Sequence, residues 1–120
     1  MKRLTASHVL RWSLAFVALY FGISEIIAPS DWVTFAPAFL GQGSLALGLV
    51  LIHGIVLSAC GAALVINFHA RVAAGILALV LLEIVVGLLI SSGFSDIVVR
   101  DIGIFGMALG IALYEAAEAR

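Results

Sequence analysis

The stretch LALGLVLIHGIVLSACGAALVINFHA, residues 45–70, decides the fold. It holds no Asp, Glu, Lys or Arg, and the charge-free run reaches back to Trp32. About 20 apolar residues cross the hydrocarbon core of a bilayer as a helix. No water-facing surface can be built from this stretch. The whole 120-residue chain agrees with it, being 64% hydrophobic and 11% charged. A soluble domain has about 45–50% apolar and about 25% charged residues. A chain of this length has room for at most four or five crossings.

Working outward, chain punctuation separates four apolar segments. The first covers 9–28 and stops at Ala28-Pro29-Ser30, because the residue before a proline is pushed out of the helical region. The second covers 45–66, after the turn-prone Gly41-Gln42-Gly43-Ser44. A short turn at Asn67-Phe68-His69-Ala70 leads to the third, 71–91. Ser92-Gly93-Phe94-Ser95 ends that one, and Asp96 is placed to cap a fourth, 97–115. The expected fold is all-α, a four-helix transmembrane bundle forming one domain over 1–120. Between the first two helices, Trp32, Phe35 and Phe39 recur at helical spacing. This marks a short interfacial segment on the membrane surface, or a lid over the mouth of the bundle.

Four crossings put both termini on one side with the turn near Arg71. Lys2, Arg3, Arg11, Arg71 and Arg120 fall on that side and Arg100 alone on the other. The positive-inside rule makes this a multi-pass protein of the cell (inner) membrane with both termini cytoplasmic. Arg11 interrupts the first apolar stretch, so a retained helix is expected rather than a cleaved signal peptide.

A net charge of −1 with no basic tract argues against nucleic acid as a partner. Cys60 is the only cysteine, which excludes an internal disulfide and a four-thiolate metal site within one chain. No zinc motif, glycine-rich phosphate loop or Ser/His/Asp arrangement is present, and no metal ligand is assigned. The glycines sit inside apolar helices, where packing accounts for them. Gly22 follows Arg11, Ala15 and Ala18 on a stripe ending at Glu25. Gly54, Ser58 and Gly61 form a second stripe, and Gly103, Gly106 and Gly110 a third. All three predict close interhelical packing.

Ionisable groups at membrane depth cost about 2.5–3.5 kcal/mol each on insertion scales and normally turn inward to partners. Glu25, His53, Glu83, Arg100 and Asp101 all fall between the midplane and the end opposite the termini. Arg11 lies near the other boundary, where its long stem can snorkel to water. Each has a structural reading beside a functional one. Glu25 with Arg100 is an ion pair locking helix 1 to helix 4. Asp101, one residue along and so aimed elsewhere, complements the helix dipole. His53 is a satisfied core histidine, and Cys60 packs in the core. Glu83 has no charged residue within ten positions, and a His53–Glu83 contact satisfies both groups. The same contact makes a proton-handling pair.

Several short stretches resemble the DoxX-like (DoxX/DoxD) family of small integral membrane proteins. Arg11-Trp12-Ser13-Leu14-Ala15 leading to Phe21-Gly22-Ile23-Ser24-Glu25, then Pro29-Ser30-Asp31-Trp32 and Ala36-Pro37, look like its first helix and following loop. Arg71 opening helix 3, and Val99-Arg100-Asp101-Ile102-Gly103 opening helix 4, are similar too. The resemblance covers nearly the whole chain. It implies a four-helix membrane protein associated with quinone-coupled sulfur oxidation, as a small subunit beside a second redox chain, or with oxidative-stress complexes. Arg11, Arg100 and Asp101 carry over, none with a catalytic role. The chain departs at Glu25, where the family often has lysine, and has His at position 53, so a lysine-borne contact to an anion or quinone does not carry over.

Three functions compete. The first is a redox-accessory subunit whose polar pocket receives a quinone headgroup or small sulfur compound, with no covalently bound cofactor. The second is a small proton-coupled transporter acting as a homodimer, with Glu83 exchanging protons for a cation. The third is a membrane scaffold with no activity of its own.

Overall fold

The computed structural model describes residues 4–35 and 43–118. Four helices form the chain: α1 (Ala6–Ile27), α2 (Ser44–Ile66), α3 (Ala70–Ser92) and α4 (Asp96–Glu118), with a 3₁₀ segment, Pro29–Phe35, after α1. All four are long and apolar enough to cross a membrane, and no strand occurs among the described residues. Large side chains such as Phe16, Ile27, Leu79 and Ile90 are exposed around the bundle. Acyl chains, not water, solvate such a surface. This is a multi-pass membrane protein.

Helix ends follow local chemistry. α1 starts at Ala6, three residues before the expected Val9, because Thr5 caps it. The Thr5 hydroxyl oxygen accepts from the His8 N–H, and the Thr5 N–H donates back to His8 Nδ1 at 3.3 Å. A histidine thus fills the place usually taken by Glu or Gln, and the start was hidden. α1 ends at Ile27, with Ala28 before Pro29 as expected. Asn67 closes α2 in the left-handed region at φ 58°, which Asn tolerates better than most residues. The Phe68 N–H then bonds the Ala63 carbonyl at 2.8 Å, and the chain reverses in three residues. Ser95, not the expected Asp96, caps α4. Its hydroxyl accepts from the Val98 N–H at 3.5 Å and its carbonyl from the Val99 N–H at 3.1 Å. Asp96 instead lies in the first turn, where its charge suits the helix dipole. α4 continues past the expected Glu115 to Glu118.

The helices pack as two antiparallel pairs. α1 lies along α2 and α3 along α4, while α2 meets α3, and α1 meets α4, over shorter stretches. A Ser7–Glu115 hydrogen bond of 3.4 Å ties the start of α1 to the end of α4. The main core fills the half of the bundle nearest the termini, with Leu14, Leu57, Leu64, Leu77 and Ile111 packed among small alanines. Cys60 is buried there as a free thiol.

The α1–α2 seam is the closest contact. A methyl group added at Gly22 would stand 2.8 Å from the Ser58 nitrogen and 2.9 Å from the Gly54 carbonyl oxygen. One added at Gly54 would stand 2.9 Å from the Gly22 carbonyl oxygen, and one at Gly61 2.8 Å from Leu19 Cγ. Only glycine lets the backbones come this near. The stripe on α4 behaves differently. Gly103, Gly106 and Gly110 have nothing within 4 Å of such a methyl, so they pack against no other described helix. The face of α4 that buries Val98, Asp101, Ala108 and Ile111 leaves these glycines on the far side.

Arg11 corrects another expectation. Rather than snorkelling to water it is 5% exposed, and its Nη1 donates to the Leu64 carbonyl at 2.8 Å. Leu64 lies in the last turn of α2, at the negative end of the helix dipole, and its carbonyl otherwise accepts only the long 3.4 Å bond from the Asn67 N–H. The guanidinium satisfies it from a neighbouring helix.

The 3₁₀ segment folds back on the bundle. Val33 is buried against Ala46 and Val50 of α2, and the Trp32 ring meets Phe21 edge-on at 5.5 Å. Phe39, expected on the same aromatic face, lies outside the described residues, as do Lys2, Arg3, Gly41, Gln42 and Arg120.

Candidate functional site: a cavity between two helix pairs

Toward the end opposite the termini the core breaks into two smaller clusters, one around Val33, Ala46 and Val50 and one around Val85, Leu88 and Val98. A cavity of about 510 Å³ lies there. Glu25, His53, Glu83, Arg100 and Asp101 all line it, so the five polar residues singled out in the sequence meet at one place. The remaining wall is largely leucine, with Phe21 and Trp32 toward the end opposite the termini.

Depth is set by helix register. His53 comes nine residues after the start of α2 and Glu83 nine residues before the end of α3. Both therefore sit about 13 Å in from the same end, at about 1.5 Å per residue. Their side chains meet, His53 Nε2 standing 3.3 Å from Glu83 Oε1. The expected contact forms, yet the inward orientation expected of Glu83 is only partly met. Its side chain is 57% exposed, against 20% for His53. Glu83 leans into the gap between α2 and α3, since that pair packs over a short stretch and leaves its flank open. Leu79, Leu82 and Val86 of α3 line the cavity and are also exposed, so the cavity opens sideways toward lipid through this gap.

Arg100 departs from expectation as well. Among the described residues it forms no ion pair with Glu25; its Nε donates to Asp101 Oδ1 at 3.1 Å. Asp101, expected to point elsewhere, has a side chain only 8% exposed and needs a partner. The adjacent guanidinium reaches it by folding along the helix. The same guanidinium lies 5.0 Å over the centre of the Phe21 ring, a cation–π contact. Glu25 is left with Oε2 buried and without a hydrogen-bond partner. Ser58, in the α1–α2 seam against Gly22, likewise has a buried hydroxyl with no partner.

Phe21 as the ring under Arg100, and Leu79, Leu82 and Val86 as a rim, were not singled out in the sequence. Phe21 was within reach, since Leu14, Ala18, Phe21 and Glu25 follow one helical stripe. The rim was not, because an apolar residue facing a cavity mouth reads like one facing lipid.

Chemically, the cavity combines an oily wall, a side opening to the membrane and two paired polar centres, His53 with Glu83 and Arg100 with Asp101. Among the described residues no three His, Cys, Asp or Glu side chains come close enough to hold a metal ion. Compared with family models, with curated proteins and with solved structures, the chain finds no match in any of the three.

Proposed function

We propose that this is a membrane protein of the DoxX-like type, a redox-accessory or quinone-linked subunit whose cavity receives a quinone headgroup from the lipid phase. The observation that carries this reading is the lateral opening between α2 and α3, leading from apolar Leu79, Leu82 and Val86 to the polar His53–Glu83 pair. An amphiphile with a ring bearing oxygens and an apolar tail matches that gradient. A bound quinone supplies two-electron, two-proton chemistry. The chain's own part is to hold the ring among leucines, to offer His53 as a hydrogen-bond partner for a ring oxygen, and to keep a proton exchangeable between imidazole and Glu83. In this reading the electrons come from a second redox subunit, the partner that the family resemblance implies. The five basic residues on the side of the termini, against Arg100 on the other, support termini in the cytoplasm of a cell-membrane protein.

The test uses Trp32, which lines the cavity, with Trp12 replaced by Phe so that one tryptophan reports. A short-chain benzoquinone titrated into purified protein in detergent should quench that fluorescence saturably. His53→Ala should weaken binding, and Leu113→Ala, on the outer face of α4, should not. Unsaturable quenching that is equal in all variants overturns the reading.

A second reading rests on a different observation, the 57% exposure of the Glu83 side chain on the bundle surface. A second copy covering that face would give a proton-coupled transporter acting as a homodimer. Substrate-driven proton flux in liposomes, abolished by Glu83→Gln, would favour it.

A further inference from the structure

The cavity described above has a neighbour. At the end opposite the termini a second cavity of about 490 Å³ is lined by Ser24 and Asp31, and it shares Trp32, Ile97 and Arg100 with the first. These three side chains form the wall between the two. The outer space sits where α1 ends and α4 begins, beside the exposed Asp31, and its wall mixes Asp31 and Arg100 with apolar Ile27, Ala28 and Ile97, so it is a vestibule at a membrane face.

Glu25 stands just inside that wall, two residues before the end of α1. Of the ionisable groups lining the inner cavity, Arg100 is held by Asp101 and His53 stands against Glu83. Glu25 alone has a buried carboxyl oxygen with no hydrogen-bond partner. A buried oxygen in that state needs a proton or a water molecule to satisfy it. The inner cavity has the volume for water, each molecule taking about 30 Å³.

We propose that Glu25 is the proton relay between the end vestibule and the His53–Glu83 pair, so that the mid-membrane site exchanges protons with the side opposite the termini. The inference rests on the proton-handling reading of that pair. Glu25 accepts a proton from vestibule water on one carboxyl oxygen and returns it to water of the inner cavity. Only O–H bonds form and break. Glu25 packs beside Gly54, the residue after His53, a methyl added at Gly54 standing 3.0 Å from Glu25 Cβ, so the carboxyl group and the pair lie at neighbouring depths and cavity water joins them. Trp32 and Arg100 set how easily vestibule water passes. Glu83 reaches lipid through the side opening, so the two carboxyl groups face different media.

That difference in media supplies the experiment. In liposomes, the protein is treated separately with a water-soluble and a lipid-soluble carbodiimide, and modified carboxyl groups are mapped by mass spectrometry. Glu25 should react with the water-soluble reagent and Glu83 chiefly with the lipid-soluble one. Trp32→Ala should speed the Glu25 reaction several-fold and leave the Glu83 rate unchanged. The relay is overturned if Glu25 resists the water-soluble reagent in both wild type and Trp32→Ala, or if Glu25 reacts only from lipid. Quinone is absent from this measurement. Failure of quinone binding therefore leaves the relay standing, and an inert Glu25 in a quinone-binding protein removes the relay alone.

Discussion

Gly22→Ala drives a methyl group into the backbone of α2. The new carbon would meet Ser58 Oγ at 2.5 Å, the Ser58 nitrogen at 2.8 Å and the Gly54 carbonyl oxygen at 2.9 Å. The hydroxyl can rotate away, but the other two atoms belong to the main chain. They fall about 0.5–0.6 Å short of the 3.4 Å at which ordinary contact begins, so the helices must part by that much. Overpacking of this kind costs about 1–3 kcal/mol. Replacing a mid-helix glycine by alanine returns about 0.5–1 kcal/mol of conformational entropy. A net loss of about 0–2.5 kcal/mol follows from the two together, and one of about 1–3 kcal/mol relative to an alanine placed where nothing is overpacked. Reversible unfolding by SDS in mixed micelles, followed by far-ultraviolet circular dichroism, measures it. Gly106→Ala is the internal control, because nothing lies within 4 Å of its added methyl. It should be neutral or slightly stabilising. If Gly22→Ala resists SDS as well as Gly106→Ala does, the close approach of α1 to α2 is refuted.

Three further outcomes follow from other contacts. Arg11→Met keeps the apolar stem but takes the guanidinium from the Leu64 carbonyl, which keeps only the 3.4 Å bond from the Asn67 N–H; losing a buried charged hydrogen bond should cost about 1–3 kcal/mol in the same SDS assay. Thr5→Ala removes the α1 cap at about 1 kcal/mol, and amide exchange should quicken over the first turn of α1 while the core is unaffected. Glu83→Gln keeps a polar partner for His53, and interhelical polar contacts in membranes average about 0.6 kcal/mol, so stability should shift by less than about 1 kcal/mol. A larger loss would make that pair a structural clasp.

The four helices were legible because lipid demands long uninterrupted apolar runs, and Pro29, Asn67 and Gly93 mark where those runs stop. Convergence of Glu25, His53, Glu83, Arg100 and Asp101 was legible for a related reason: in an up-down bundle, residue number fixes depth. Partner choice was not legible. Arg100 had Glu25 and Asp101 within plausible reach, and the burial of Asp101, a tertiary outcome, decided between them. The fate of Arg11 turned on the C-terminal carbonyl of Leu64 on another helix. Gly103, Gly106 and Gly110 show the limit of the small-residue rule. The spacing that seats one helix on another on α1 and α2 gives, on α4, a face with no described neighbour.

Photo-crosslinking with an azido-quinone in native membranes, with adducts mapped by mass spectrometry, bears most directly on the cavity as a lipid-facing quinone site. Adducts confined to the mouth formed by Leu79, Leu82 and Val86 and to the neighbouring stretch of α2 are the expected result. Adducts spread evenly over the exposed faces of all four helices, with unlabelled quinone failing to compete them away, would contradict it.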